Sequence, residues 1–317
     1  MDRFLEMLKQ IKFINNSFFI KKNKISINKK NNNIKFKILP HFIKSNNEKD
    51  TLQLYKSIRH YLTVMNKECK NFNSNIFIKN FKKTLFNIEN LNKNVVSDFD
   101  GTIDLDDINQ FEINKISVIN HELLHLSSLQ KNYDNVIFSA YDEGYTQLLA
   151  ERYFKENEGK VYKILVIIMN NIETIINKDY MEEKYFKGEL QTTGNKLLEY
   201  ENKENIKLLF KNMYFIFDTL NNIHCIEEEK RKIYIQYHTN IIFTIITNCI
   251  INRLKKCDNI KDKISIFNNL RLVKTYRFVF MGQKYEINLF TDEQIKQIIN
   301  CLYSDLEFNV EEEKRFL

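Results

Sequence analysis

The sequence predicts an α+β chain that is predominantly helical, with one helix joining its two regions. Residues 1–130 read as mixed α/β with a small sheet, and residues 131–317 read as helical. Two observations lead there. Short period-2 stretches, the mark of half-buried strands, occur only in the first third and in one late hairpin candidate. From residue 116 onward, apolar residues otherwise recur at helical spacing. No repeat and no Pro/Gly/Ser linker marks a border, so the division rests on this change of pattern alone.

Taken in order, residues 1–20 have helical spacing through Phe4, Leu5, Leu8 and Ile11, and a polar Asn/Lys stretch to Asn33 reads as a loop. Residues 34–39, Ile-Lys-Phe-Lys-Ile-Leu, alternate like a strand that Pro40 closes. Residues 52–65 form a helix with Leu54, Ile58, Tyr61 and Leu62 on one face. Residues 76–78 and 102–105 are further strand candidates. The helices expected beyond are 116–130, 141–156, 160–177, 196–221, 230–254 and 293–306. Residues 278–280 and 285–289 flank Gly282 and suit a hairpin.

Composition bounds the function. At 43 % hydrophobic and 13 % aromatic residues the chain can build a sizeable core, which argues against wholesale disorder. The formal charge of +7 is uneven, since residues 1–100 hold 20 Lys and Arg against 8 Asp and Glu. Such a basic third could steer an acidic partner. The Asn, Lys and Ile bias of an AT-rich coding sequence explains it more simply, and no Arg-rich stripe or aromatic-basic repeat points to nucleic acid. Cys69, Cys225, Cys249, Cys257 and Cys301 are odd in number and scattered, as reduced thiols of a cytoplasmic protein would be. Asp2 and Glu6 stand where a signal peptide would carry only bases. The stretch 233–251 lacks Lys, Arg, Asp and Glu, yet Gln236, His238, Thr239, Asn240, Thr244, Thr247 and Asn248 make it a core helix and not a membrane span.

The chemistry lies in residues 119–154. Ile-Asn-His-Glu-Leu-Leu-His sets His121 and His125 four residues apart, about 6 Å on one helical face, where both imidazoles can reach one ion. Glu122 lies one residue round and can face a water held at that ion, the place of a general base. After seventeen intervening residues comes Asp-Glu-Gly-Tyr-Thr-Gln on a second helix, which Ser139 and Asp142 would open as a capping box. Glu143 in its first turn supplies the third ligand of a His₂Glu zinc site; Asp142 and Glu151 are competitors for that role. Two histidines four apart also occur by chance on helix surfaces. Only six histidines are present, however, and these two fall in an otherwise apolar helix.

On His121, Glu122, His125 and Glu143 the chain resembles the gluzincin peptidases, the thermolysin-like group, over roughly 40 residues. The resemblance implies a zincin-like fold, Zn²⁺ as cofactor, a peptide or protein substrate along an edge strand, and hydrolysis by a metal-activated water with Glu122 as base. It also implies an oxyanion donor from the helical half, for which Tyr237 and His238 rank ahead of Tyr214 and His224; each suits core packing equally well. Gln147 stands where the family has an aspartate that orients a ligand histidine, so that charge is missing here. The metzincin pattern fails because Ser128 and Lys131 occupy its Gly and His positions. Two alternatives stand beside the peptidase. One is a zincin-fold binding or regulatory protein without turnover. The other follows from Asp98-Phe99-Asp100-Gly101-Thr102, which resembles the first motif of haloacid-dehalogenase-type magnesium phosphatases through Asp98 and Asp100, but no later acidic pair completes it.

Overall fold

The computed structural model describes residues 42–44, 48–81, 85–87, 97–98, 102–104, 115–128, 136–155, 162–221, 227–280 and 283–315. The expected helix at 1–20 and strand at 34–39 lie outside these residues. The chain clusters into two compact units, one of Met1–Gln130 with Tyr153–Glu158, the other of Lys131–Arg152 with Gly159–Leu317.

The first unit holds four short strands: β1 (Phe42–Lys44), β2 (Leu85–Asn87), β3 (Ser97–Asp98) and β4 (Thr102–Asp104). Their order is β1-β2-β4-β3; the first two pairings are parallel, and β3 returns antiparallel to β4 with Asp98 opposite Thr102. β4 is interior, because β3 pairs along its outer side. Among the described residues the unit also holds the helices α1 (Glu48–Glu68), α2 (Ser74–Phe81) and α3 (Lys115–Ser127). Ile58, Tyr61, Leu62 and Met65 bury one stripe of α1, while Phe77, Ile78 and Phe81 bury a stripe of α2. The Tyr61 ring stacks on Phe77 at 5.5 Å and on Phe154 at 5.3 Å between centroids. The triplet 76–78, expected as a strand, is helical. Asn73 explains the difference, since its Oδ1 accepts from the backbone N–H of Asn75 and Ile76 and starts a helix there.

The second unit is helical, from α4 (Ser139–Phe154) through α5 (Lys163–Ile176), α6 (Lys178–Phe186), the short α7 (Gly194–Leu197), α8 (Lys203–Asn221), α9 (Glu228–Lys255) and α10 (Ile260–Asn269) to α11 (Asp292–Arg315). The predicted helix 196–221 is two helices. Asn202 restarts it by accepting from the N–H of Asn205. Between α5 and α6 a single residue, Asn177, turns the chain at φ 149° and caps α6 by accepting from the Tyr180 N–H. The expected hairpin is present as β5 (Thr275–Phe280) and β6 (Gln283–Asn288), an antiparallel pair.

α9 is the axis of this unit and packs on α5, α8, α11 and β6. Its Ile235, Ile242, Phe243, Ile246, Cys249 and Ile250 are buried, in keeping with a core helix. Among the described residues no helix is long and apolar enough to cross a membrane.

A buried ionic knot ties α4, α5 and α6. The Arg152 guanidinium donates to Glu173 at close range and to Glu182 at 3.3 Å, and Tyr145 donates its hydroxyl to Glu173 at 2.7 Å. Burial pushes the Tyr145 hydroxyl pKa well up, and the Glu173 charge adds to that, so the phenol stays a donor. For Arg152 burial would lower the pKa, but Glu173 and Tyr145 outweigh it and hold the guanidinium charged. Removing the cation leaves the buried carboxylates of Glu173 and Glu182 without the charge they share. Arg152→Met is therefore expected to lower stability by about 3–5 kcal/mol, read as a reduced urea midpoint with unchanged slope.

Candidate metal centre

α3 carries the motif on a fully buried stretch. From Ile119 to Ser128 each residue is buried, with Leu123 and Leu124 at 0 % exposure. This surrounding holds the two histidines at fixed positions. His121 and His125 turn their Nε2 atoms toward each other at 3.1 Å, with the rings inclined at 73°. Two nitrogens bound tetrahedrally to one zinc at about 2.0–2.1 Å would sit about 3.3 Å apart, so the pair has the separation such an ion requires. Glu122 is 8 % exposed, and its Oε2 has no hydrogen-bond partner among the described residues. A buried carboxylate oxygen without a donor is costly unless something occupies the space before it.

Glu143 lies in the first two turns of α4. Ser139 is the first residue of that helix and follows a 3₁₀ turn at Val136–Phe138, so it is not the residue before the helix that the capping box requires. Gly144 lets α5 come close: a Cβ there would meet Leu165 Cβ and Met169 Cγ at 3.0 Å. A nitrogen from each of His121 and His125 and a carboxylate oxygen of Glu143 lie within 4.8 Å of one another, with the histidines buried and the glutamate half-buried. This is a donor set of two imidazoles and one carboxylate, suited to zinc and to other divalent metals that accept nitrogen and oxygen. The competing carboxylates do not join it. Glu151 is instead bound to Lys163 at 2.6 Å and approached by Arg271 at 3.4 Å.

The oxyanion candidates occupy a different kind of setting. His238 on α9 is 5 % exposed and lies among Phe215, Tyr234 and Tyr237, whose ring centroids are 4.8, 4.2 and 5.2 Å away. Its Nδ1 donates to Asn212 Oδ1 at 2.5 Å, a direction set by the Asn212 amide, which donates to the Leu208 carbonyl. That leaves Nε2 as the lone-pair nitrogen, without a partner among the described residues. Tyr237 is 60 % exposed, and Tyr214 is half-buried against Phe215. His224 and Asp100 lie outside the described residues. Asp98 ends the two-residue β3 on the antiparallel edge. Beyond β4 the described residues hold only the β5–β6 hairpin as sheet, without the alternating strands and helices that a phosphatase of that kind needs.

Comparison with family models, curated proteins and solved structures finds no match to this chain. The site rests on its own atoms alone. Sequence reasoning passed over one residue that bears on it. Asn80 of α2 carries no motif, and only its place beside the end of α3 reveals it.

Burial, and then the Lys211 charge, push the His238 pKa below its usual value. The folded chain therefore takes up this proton less readily than the unfolded chain. This group's effect on stability is absent above a pH of about 6.5 and destabilises the fold below it, as the unfolded state protonates first. A His238→Gln variant is expected to show a shallower loss of unfolding free energy between about pH 6.5 and 5, measured by denaturant titration at each pH.

Proposed function

We propose that the chain is a zinc-dependent hydrolase of peptide bonds, with His121, His125 and Glu143 holding the metal and Glu122 acting as general base. The observation that carries this reading is the convergence of one donor atom from each of those three side chains within 4.8 Å. The orphaned Oε2 of Glu122 supports it, because the residue beside the first ligand histidine is the one positioned to face a water at the metal. When bound, zinc supplies Lewis acidity and makes a water nucleophilic near neutral pH.

The residues divide the work. His121 and His125 enter as neutral imidazoles, each donating a lone pair, and Glu143 adds one negative charge. Glu122 takes the proton from the attacking water and passes it to the amine that leaves when the C–N bond breaks. Glu122 is buried, as are Leu123 and Leu124 after it, which keeps most bulk water from its carboxylate. A zincin-like fold and a peptide lying along a sheet edge belong to the same proposal; β3 and β1 are the edges of the four-stranded sheet.

Elemental analysis of the purified chain tests the ligand set. About one zinc per chain, lost in both His125→Ala and Glu143→Ala, is expected. Zinc retained by Glu143→Ala would move the third ligand elsewhere, and a wild type that binds none after reconstitution would end the proposal. Catalysis is tested separately with Glu122→Gln, which is expected to keep the metal and to lower cleavage of an unfolded protein substrate by about 10²-fold or more. Zinc binding without cleavage of any peptide library would leave a metal-holding protein without turnover.

A further inference from the structure

We propose that Asn80 is a positioning residue for the metal centre, acting through the last turn of α3; the inference rests on reading His121 and His125 as metal ligands. A helix leaves its final four carbonyls without intrahelical partners, and many helices close them with a left-handed glycine or asparagine. After His125 this chain reads Leu-Ser-Ser-Leu-Gln, which offers neither. His125 is nonetheless in the last turn, where an unclosed helix frays.

Side chains make the closure instead. Ser127 donates its hydroxyl to the Leu123 carbonyl at 2.9 Å, and Tyr61 meets the same hydroxyl at 2.5 Å. Ser128 donates to the His125 carbonyl through both its N–H, at 3.2 Å, and its hydroxyl, at 3.0 Å. The two remaining contacts come from outside the helix. Asn80 Nδ2 lies 2.9 Å from the Leu126 carbonyl and 2.9 Å from the Ser128 carbonyl, so each of its two hydrogens is used. Asn80 is itself held, because Phe77 and Phe81, which flank it on α2, are buried.

The consequence reaches the metal through geometry. The His125 carbonyl is bonded by Ser128, and the next carbonyl is bonded by Asn80, so the backbone under the second imidazole is fixed on both sides. The 3.1 Å approach of the two Nε2 atoms requires that the last turn keep its register with the turn before it. A frayed turn would swing His125 away from His121 while leaving the core of α3 intact. Metal affinity then depends on Asn80 more steeply than folding does.

The test uses the full chain and zinc alone, with affinity measured by competition against a chromophoric chelator at a temperature where circular dichroism shows each variant folded. Asn80→Leu keeps the size and removes the donors, and Asn80→Asp sets an acceptor against two carbonyl oxygens. Both are expected to weaken zinc binding about tenfold or more. Ile78→Val, a small core change on the same helix, is expected to lower the unfolding midpoint and leave affinity unchanged. If Asn80 variants fail to fold, Ser128→Ala removes only the hydroxyl bond to the His125 carbonyl and is expected to weaken binding about two- to tenfold. Unchanged affinity in the folded variants, beside a wild type that binds zinc, overturns the inference and spares the metal site. An equal loss in Ile78→Val overturns it as well, by showing general loosening. A wild type that binds no zinc removes the metal reading itself.

Discussion

The approach of two imidazole nitrogens to 3.1 Å inside a buried helix is the constraint on which the rest of the site depends. Two lone pairs cannot face each other at that distance without either a proton or a cation between them. With a proton, one ring donates and the other accepts; with a metal, both donate lone pairs to it. The helix that imposes this geometry must be rigid, because a change of one side-chain rotamer would separate the rings. Burial of Leu123 and Leu124 supplies that rigidity along the helix, and side-chain closure supplies it at the end.

The same logic governs the helix that bears Glu143. Charge, in addition to apolar packing, fixes α4 to its neighbours. Arg152 links it to Glu173 of α5 and Glu182 of α6, and Lys163 of α5 holds Glu151. A buried ion pair contributes little net stability, but it penalises any arrangement that leaves one member alone. Such a network favours one register of three helices over its competitors. Gly144 contributes to the same register by admitting the backbone and side chain of Leu165 to close range. Glu143 thus stands on an element whose rotation about its axis is specified by both charge and shape.

His238 and Tyr237 illustrate how packing separates residues that are adjacent in sequence. A histidine and a tyrosine adjacent on a long helix invite a catalytic reading. The structure gives them separate environments: the histidine sits under aromatic rings with Asn212 bound to one nitrogen, and the tyrosine faces outward. Consecutive residues on a helix are turned by 100°, so adjacency in sequence carries no shared direction. The same lesson holds for 76–78, where β-branched and aromatic residues read as a strand. A single capping asparagine three residues earlier outweighed that preference.

By itself the sequence determined the helical character of the second region, the core position of the 233–251 segment, the late hairpin, and the placing of two histidines on one helical face. Those features are local: they follow from apolar periodicity and from the fixed rotation per residue of a helix. Tertiary structure alone decided that Glu143 approaches the histidines while Glu151 is taken by Lys163, and that β4 is interior while β3 forms the edge. It alone recruited Asn80 to the end of the helix that bears His125. Each of these turns on contacts between residues many positions apart, whose partners are chosen by how whole helices pack and not by any spacing along the chain.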